Sequence, residues 1–442
     1  MRILSITAGA AGMYCGSCAR DNALAAALRA QGHDVVLLPL YTPTRTDEEN
    51  QSEDRVFFGG ISVYLEQNLP LYRRLPPLFD KLFDQPWLIR AASARQLSTD
   101  PKLLGELTIS MLRGRHGFQS KEFDKLVAWI RAQPPFDVVN LPNVLLIGLA
   151  EPLAEALGCP IVCTLQGEDL FLEGLDERRR AESLRLIRAH APHVAAFLAV
   201  SGYYAAFMSD YLGIPPEKIE VAPLGISLEG HDAGSRPAPP VFTVGYFARI
   251  APEKGLHVLA DAYRRARLEG GLTAARLEVA GYLAPEHASY LAQIEEEMRD
   301  RGLGSEFRCH GTLDRAAKIR FLRSVSVLSV PTTYVEPKGL FLLEAWANGV
   351  PVVQPAHGAF PEMIAKTGGG ALFPPGNAAA LADALTALAR EPARAAELGR
   401  SGAQGVRRDY SAARMAARVA EIYAGVLAAK PAPPAREQLA QR

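Results

Sequence analysis

A short strand that breaks off at charged residues and gives way to an apolar helix constrains this chain more than any other feature. Ser326 to Pro331 (SVLSVP) has the β-branched run of a strand, and Pro331 to Pro337 carries the turn signals that end it. From Gly339 onward, Leu340, Phe341, Leu343, Ala345, Trp346 and Ala347 read as a buried helix, closed by Gly349 with Pro351 beyond. Glu336 therefore lies just past a strand's carboxyl end, and Glu344, eight residues on, lies in the first turns of the helix. In an open parallel α/β sheet, ligands bind where strands end and helices begin, so both carboxylates are expected to face one crevice. The helix amino end between them, with N–H groups near Gly339 and Leu340, attracts phosphate, whereas carboxylates repel it and suit hydroxyl groups. A ligand with hydroxyls on either side of a diphosphate is a nucleotide sugar. Taken singly, each Glu also has a plainer reading, Glu344 as a structural pair or cap and Glu336 as a solvated loop charge.

Strands and helices alternate through the rest of the chain in the manner of doubly wound sheets. Residues 1–229 read as a first domain. It opens with strand Ile3 to Thr7, the loop AGAAGMYCGSC, a helix from about Ala19 to Arg29 and strand Val35 to Leu38. Residues 41–135 are chopped by Pro70, Pro76, Pro77 and Pro86 and read as an irregular insertion. Within it, residues 69–92 interleave aromatic and basic side chains that suit an acceptor lid or a peripheral membrane contact. Strand Phe136 to Leu141, a helix to Leu157 and strand Pro160 to Leu165 follow, the last ending in Gln166-Gly167-Glu168-Asp169 at the crevice. Glu168 and Asp169 suit either an acceptor or the cap of the next helix.

The proline- and glycine-rich stretch 230–240 reads as a linker. A second domain, 241–410, opens with VFTVGYFARIAPEKG, in which a strand runs into a turn carrying Arg249 and Lys254 just before a helix. Two cations beside a helix amino terminus make a diphosphate site that needs no metal ion. Read alone, they are also an ordinary solvated turn.

Several classes of function are disfavoured. The glycine-rich loop lacks both the Gly-Lys-Ser/Thr ending of a P-loop and the spacing of a dinucleotide fingerprint. With 48 basic and 48 acidic residues there is no global attraction to nucleic acid. Cys15 and Cys18 suggest half a zinc or redox site, but the candidate other half, Cys159 and Cys163, is far off in sequence. No run reaches the ~18 apolar residues of a membrane span. Five cysteines and a strand-like start at Ile3 point to a cytoplasmic protein without metal or cofactor.

The spacing Glu336-x7-Glu344, the following AWANGVPVV and the later HGAFPEMI resemble the donor-binding signature of family 4 glycosyltransferases, retaining enzymes of the GT-B fold. The resemblance covers most of the chain. It implies an α/β fold with two Rossmann-like doubly wound domains facing a central cleft. A crossover helix at 411–428 would return to the first domain, and the tail 429–442 would be disordered. It also implies transfer of a sugar from a nucleotide diphosphate donor to a hydroxyl acceptor that is a glycan, lipid-linked or a small molecule. In that scheme Glu344 binds ribose hydroxyls, Glu336 binds the transferred sugar, and Arg249 and Lys254 hold the phosphates. The backbone of Gly339, Leu340 and Phe341 would contact phosphate and sugar, and Gly311, Thr312 and Leu313 the base. Gly16 matches one of two loop glycines that face the reaction centre, and Cys15 replaces the other. Gln166 stands where many members carry histidine, and Lys338 where they carry an apolar or small residue. Gln166 cannot act as a base but can hydrogen bond, so it joins Cys15 and Glu168 on the acceptor side. Two alternatives stand beside transfer: a silent nucleotide-sugar sensor and an epimerase of the same fold.

Overall fold

The computed structural model describes residues 1–9, 16–44, 46–58, 101–234 and 239–429. Their strands form two six-stranded parallel sheets. The first runs β2-β1-β3-β4-β5-β6 and consists of β1 (Arg2–Thr7), β2 (Asp34–Pro39), β3 (Val138–Leu141), β4 (Ile161–Leu165), β5 (Ala196–Ala199) and β6 (Ile219–Val221). The second runs β12-β11-β10-β7-β8-β9 and consists of β7 (Phe242–Phe247), β8 (Ala275–Ala280), β9 (Phe307–Cys309), β10 (Val327–Leu328), β11 (Val352–Pro355) and β12 (Gly370–Phe373). Apolar, β-branched runs such as Ile161, Val162 and Cys163 are buried completely, as strands covered by helices on both faces must be.

Strand order reverses between β1 and β3 in the first sheet and between β7 and β10 in the second. Loops leaving two such strands diverge to opposite faces and open a crevice between them. Val327 pairs with Val244 and Leu328 with Gly245. The turn after β7 and the loop after β10 therefore emerge side by side, which is how Lys254 and Glu336 meet across 82 positions of sequence.

Each domain has its own core, and the chain's end joins the first. Met415, Val419 and Tyr423 of the final helix, Ala412–Ala429, pack with Leu24 and Leu28 of helix Gly16–Ala30 and with the outer face of the first sheet. The two connections between domains run together, since Ile226 N–H donates to the Tyr410 carbonyl and Ala412 N–H donates back to Ile226 at 2.7 Å.

The stretch 41–135 departs from its expected irregularity. Helices Pro101–Leu112 and Ser120–Arg131 occupy its last part. Phe123, Leu126, Val127 and Ile130 of the second recur at helical spacing and are buried against the first domain's core. That periodicity was present in the sequence, but the prolines upstream do not extend into it. The segment 69–92, Cys15 and the tail 430–442 lie outside the described residues. Residues 378–409 are divided at Pro392 into helices Ala378–Arg390 and Pro392–Asp409.

Candidate active site

The loop leaving β10 is held in shape before any ligand is considered. Ala359 N–H donates to the Glu336 carbonyl at 2.9 Å. Gly358 presses so closely on Glu336 that a Cβ there would lie 2.3 Å from that carbonyl oxygen. Gly339, at φ 66°, turns the chain into helix Leu340–Ala347 through a left-handed conformation that a side chain would strain. The HGAFPE turn and Gly339 thus fix where Glu336 and the helix amino end stand.

Glu336 is 3% exposed and is met by three donors, the Lys338 N–H at Oε1 and two side chains at Oε2. Lys254 Nζ lies 2.6 Å from its Oε2 and 2.6 Å from the Tyr334 hydroxyl, which itself donates to Glu336. Burial pushes the Glu336 carboxyl up, but the Lys254 ammonium and the Tyr334 hydroxyl outweigh it and hold it down to about 2. Lys254 is thus half of an ion pair at the helix amino end. Arg249, 49% exposed, pairs with Glu253 at 3.1 Å, and its turn is fixed by the Tyr246 hydroxyl donating to the Arg249 carbonyl.

Glu344 is also paired. Lys318 Nζ donates to its Oε1 at 2.7 Å and pairs with Asp47 of the first domain. Although burial pushes the Lys318 ammonium down, the two carboxylates raise it overall. The loop Gly311-Thr312-Leu313 leads directly into the helix that carries Lys318, Arg315–Ser324, whose amino end Asp314 caps by accepting from Ala317 N–H.

The two domains meet across this cleft. Lys338 Nζ donates to the Ser17 hydroxyl at 2.7 Å, and the Ser201 hydroxyl donates to the Pro337 carbonyl at 2.9 Å. A Cβ on Gly16 would reach Leu340, and one on Gly167 would touch Pro337. Glu362 caps a helix of the opposite domain. Its carboxylate accepts from Gly202 and Tyr203 N–H, at 3.0 and 2.9 Å, at the start of helix Gly202–Leu212.

The acceptor-side residues divide. Gln166 is buried and donates to the Pro142 carbonyl at 2.8 Å, so its amide is anchored within the first domain. Glu168 likewise turns inward, accepting from Gln166 N–H at 2.7 Å, and burial pushes its carboxyl up to about 7. Asp169 is the carboxylate that faces the cleft. It accepts from the Tyr204 hydroxyl at 2.7 Å, and its carboxyl is raised first by burial, with Glu336 across the gap adding to the effect. Glu168, at the N-cap of helix Asp169–Glu173, does not cap it with its side chain, whereas the Asp169 carboxylate accepts from the N–H groups of Asp169 and Leu170 at the helix start.

Sequence reasoning passed over Tyr334, Lys318 and Asp47. Tyr334 sits two residues before Glu336 and could have been suspected from that alternation, but nothing local links Asp47 to Lys318. Among the described residues no group of three His, Cys, Asp or Glu side chains could hold a metal ion, and no helix is long and apolar enough to cross a membrane. Cys18, Cys159 and Cys163 are buried in the first domain.

Comparison with known proteins bears on family and fold. Residues 233–405 match the model for glycosyl transferases group 1, and residues 19–225 match that for the glycosyl transferase 4-like domain. The chain is 37% identical over 131 residues to a phosphatidyl-myo-inositol mannosyltransferase of Mycobacterium leprae, covering 29% of this chain and 35% of that protein. It is 27% identical to a D-inositol 3-phosphate glycosyltransferase of Pseudarthrobacter chlorophenolicus, over 84% of this chain and 90% of that one. The chain spans between about a third and a half of the length of the first curated relatives it matches. In fold it is similar to sucrose-phosphate synthase from Thermosynechococcus elongatus, with TM-score 0.71, 19% identity and coverage of 97% and 100%. It is also similar to Anabaena Alr3699/HepE in complex with UDP, with TM-score 0.67, 16% identity and coverage of 96% and 100%.

Proposed function

Because the chain belongs to the group 1 glycosyl transferases of the family 4 type, we propose that it moves a sugar from a nucleotide diphosphate donor to a hydroxyl acceptor, with retention at the anomeric carbon. The observation that carries this reading is the Lys254–Tyr334–Glu336 cluster at the amino end of helix Leu340–Ala347, directly across the cleft from Ser17 and Gly167.

The diphosphate lies against the helix amino end, with Lys254 and Arg249 at its oxygens. As the bond from sugar to phosphate lengthens, negative charge grows on the departing oxygen, and these groups stabilise it without reorganising. The acceptor oxygen attacks from the same face, and its proton passes to the leaving phosphate oxygen. No protein base is required, which suits the anchored amide of Gln166. Glu336, held ionised, accepts from hydroxyls of the sugar, and Asp169 orients the acceptor from the other side. Charge neutralisation by Lys254 and Arg249 makes metal independence part of the proposal, as is a cytoplasmic setting. Because the HepE structure holds UDP, a uridine donor is the first to try; because two relatives are named for inositol derivatives, so are polyol acceptors.

The test is a panel of UDP-, GDP- and ADP-sugars scored by thermal shift on wild type and Glu344→Ala, followed by assay of released diphosphate. Stabilisation by one donor that the variant loses, with release on adding an acceptor, is the expected result. Binding without release under any acceptor supports the sensor instead, and no binding sinks the reading.

A further inference from the structure

Two acidic residues of the first domain reach into the second at the end of the cleft where Glu344 stands. They lie in the loop after β2, which helix Gly16–Ala30 holds in place. Asn22 donates to the Glu49 carbonyl at 2.9 Å and accepts from Gln51 N–H at 2.8 Å. From this anchored loop Glu48 pairs with Arg315 at 2.9 Å, and Asp47 pairs with Lys318. The side chains of Lys318, Asp47 and Glu344 are 8%, 14% and 10% exposed.

One ammonium thus neutralises two carboxylates that belong to different domains. The Lys318–Glu344 contact is internal to the second domain and survives opening of the cleft. The Asp47–Lys318 and Glu48–Arg315 contacts exist only while it is closed. Lys318 engages Oε1 of Glu344, leaving Oε2 to accept from a hydroxyl.

We propose that Lys318 is a positioning residue that aims Glu344 at the ribose of the nucleotide, and that Asp47 is a strut by which closure of the cleft fixes that aim. The inference rests on the donor-site reading above. It makes donor binding and closure reciprocal: whatever the strut adds to closure when donor is bound, it adds to donor affinity when the cleft is closed. Without Lys318, the Glu344 and Asp47 carboxylates confront each other with no cation between them, so acid should relieve their repulsion.

The experiment measures dissociation constants of UDP, GDP and ADP by calorimetry from pH 5.5 to 8 on wild type, Lys318→Met, Lys318→Arg, Asp47→Asn and the Asp47→Asn/Lys318→Met pair. The other charged or titratable groups facing the triad are Glu48, Arg315 and His231, the last reaching Glu344's helix through Asn348. Burial first, then Arg315 and Lys318, hold the His231 imidazole at about 4, so it stays neutral across the range.

Lys318→Met is expected to weaken the best nucleotide ~10- to 100-fold at pH 8, within the usual span of coupling between sites, and to regain part of this at pH 5.5. Lys318→Arg restores binding. Asp47→Asn weakens binding by less than ~10-fold with a flat pH profile, and the double variant binds better than Lys318→Met alone. Independently of ligand, amide hydrogen exchange in segment 46–52 speeds up in Asp47→Asn.

Wild-type affinity and pH profile in Lys318→Met would overturn the positioning role while leaving the donor site intact. Unchanged exchange in Asp47→Asn would overturn the strut. A wild type that binds none of the three nucleotides overturns the donor-site reading and this inference with it. If Lys318→Met does not fold, Lys318→Arg and Asp47→Asn still decide.

Discussion

The two ends of the cleft use the same device, a buried lysine on a buried carboxylate, but they build it differently. At the reaction centre Lys254, Tyr334 and Glu336 all come from the second domain, from loops that leave neighbouring strands β7 and β10. At the other end Lys318 and Glu344 come from that domain, but the third member, Asp47, comes from the first. The first cluster is complete whether or not the cleft is closed; the second is complete only when it is. Groups that must meet a developing charge are best assembled beforehand, whereas groups that hold the donor can report closure.

Removing Lys254 is the strongest way to break this contrast. Lys254→Met leaves Glu336 buried with only two neutral donors, the Tyr334 hydroxyl and the Lys338 N–H, and truncating one partner of a buried pair costs about 3–5 kcal/mol. If, as proposed, the same ammonium serves the leaving diphosphate, turnover should fall ~100-fold or more. The variant's melting temperature and its diphosphate release at saturating donor check both parts. Turnover within tenfold of wild type would show that the reaction-centre pair is structural only.

Acid sharpens the contrast within one chain. Glu336 is held down to about 2 from an ordinary 4.5, so it contributes stability that is present above pH 4.5 and lost as pH falls towards 2. The shift corresponds to about 3 kcal/mol. Glu168 has the opposite sign. Its carboxyl is pushed up to about 7, so the folded state favours the protonated form, and that contribution is full below pH 4.5 and fades as pH rises through 7. Urea unfolding from pH 3 to 8 should therefore show a shallower acid loss in Glu336→Gln and a shallower loss between pH 4.5 and 7 in Glu168→Gln. Identical slopes in wild type and both variants would defeat the assignment.

What was legible in the sequence follows the same division. Strand–helix alternation gave two parallel sheets, and the loop-to-helix break at Glu336 and Gly339 pointed to the crevice, because these features are local and periodic. Pairing Glu336 with Lys254 followed once strand order was known, since β7 and β10 are hydrogen-bonded neighbours whose loops emerge side by side. Asp47 gave no signal: an acidic residue in a run of polar residues has the look of a solvated loop, and only its anchoring by Asn22 turns it inward. The roles of Glu168 and Asp169 were left open because the groups that hold each carboxylate are distant in sequence: Val144 N–H donates to Glu168, and the Tyr204 hydroxyl, 35 residues beyond Asp169, donates to Asp169.

The smallest expected effect tests whether closure has a second latch away from both triads. Glu362 accepts from the Gly202 and Tyr203 N–H groups at the start of a helix in the opposite domain, so its carboxylate meets the positive end of that helix only when the cleft is closed. Losing a side-chain cap costs about 1 kcal/mol, roughly a fivefold shift of a two-state equilibrium. Glu362→Ala should raise the donor KM by about that factor while leaving kcat within twofold, because at saturating donor the bound nucleotide restores closure by mass action. Its melting temperature should change little, since the cap joins two cores rather than completing either. A variant that loses kcat with KM unchanged would place Glu362 in the chemistry. One that loses melting temperature as a core substitution does would make it an internal support. With the expected result, Glu362 joins the contacts of Asp47, Glu48, Ser201 and Lys338 that cross the cleft, while the charges proposed to meet the leaving diphosphate sit on one side alone.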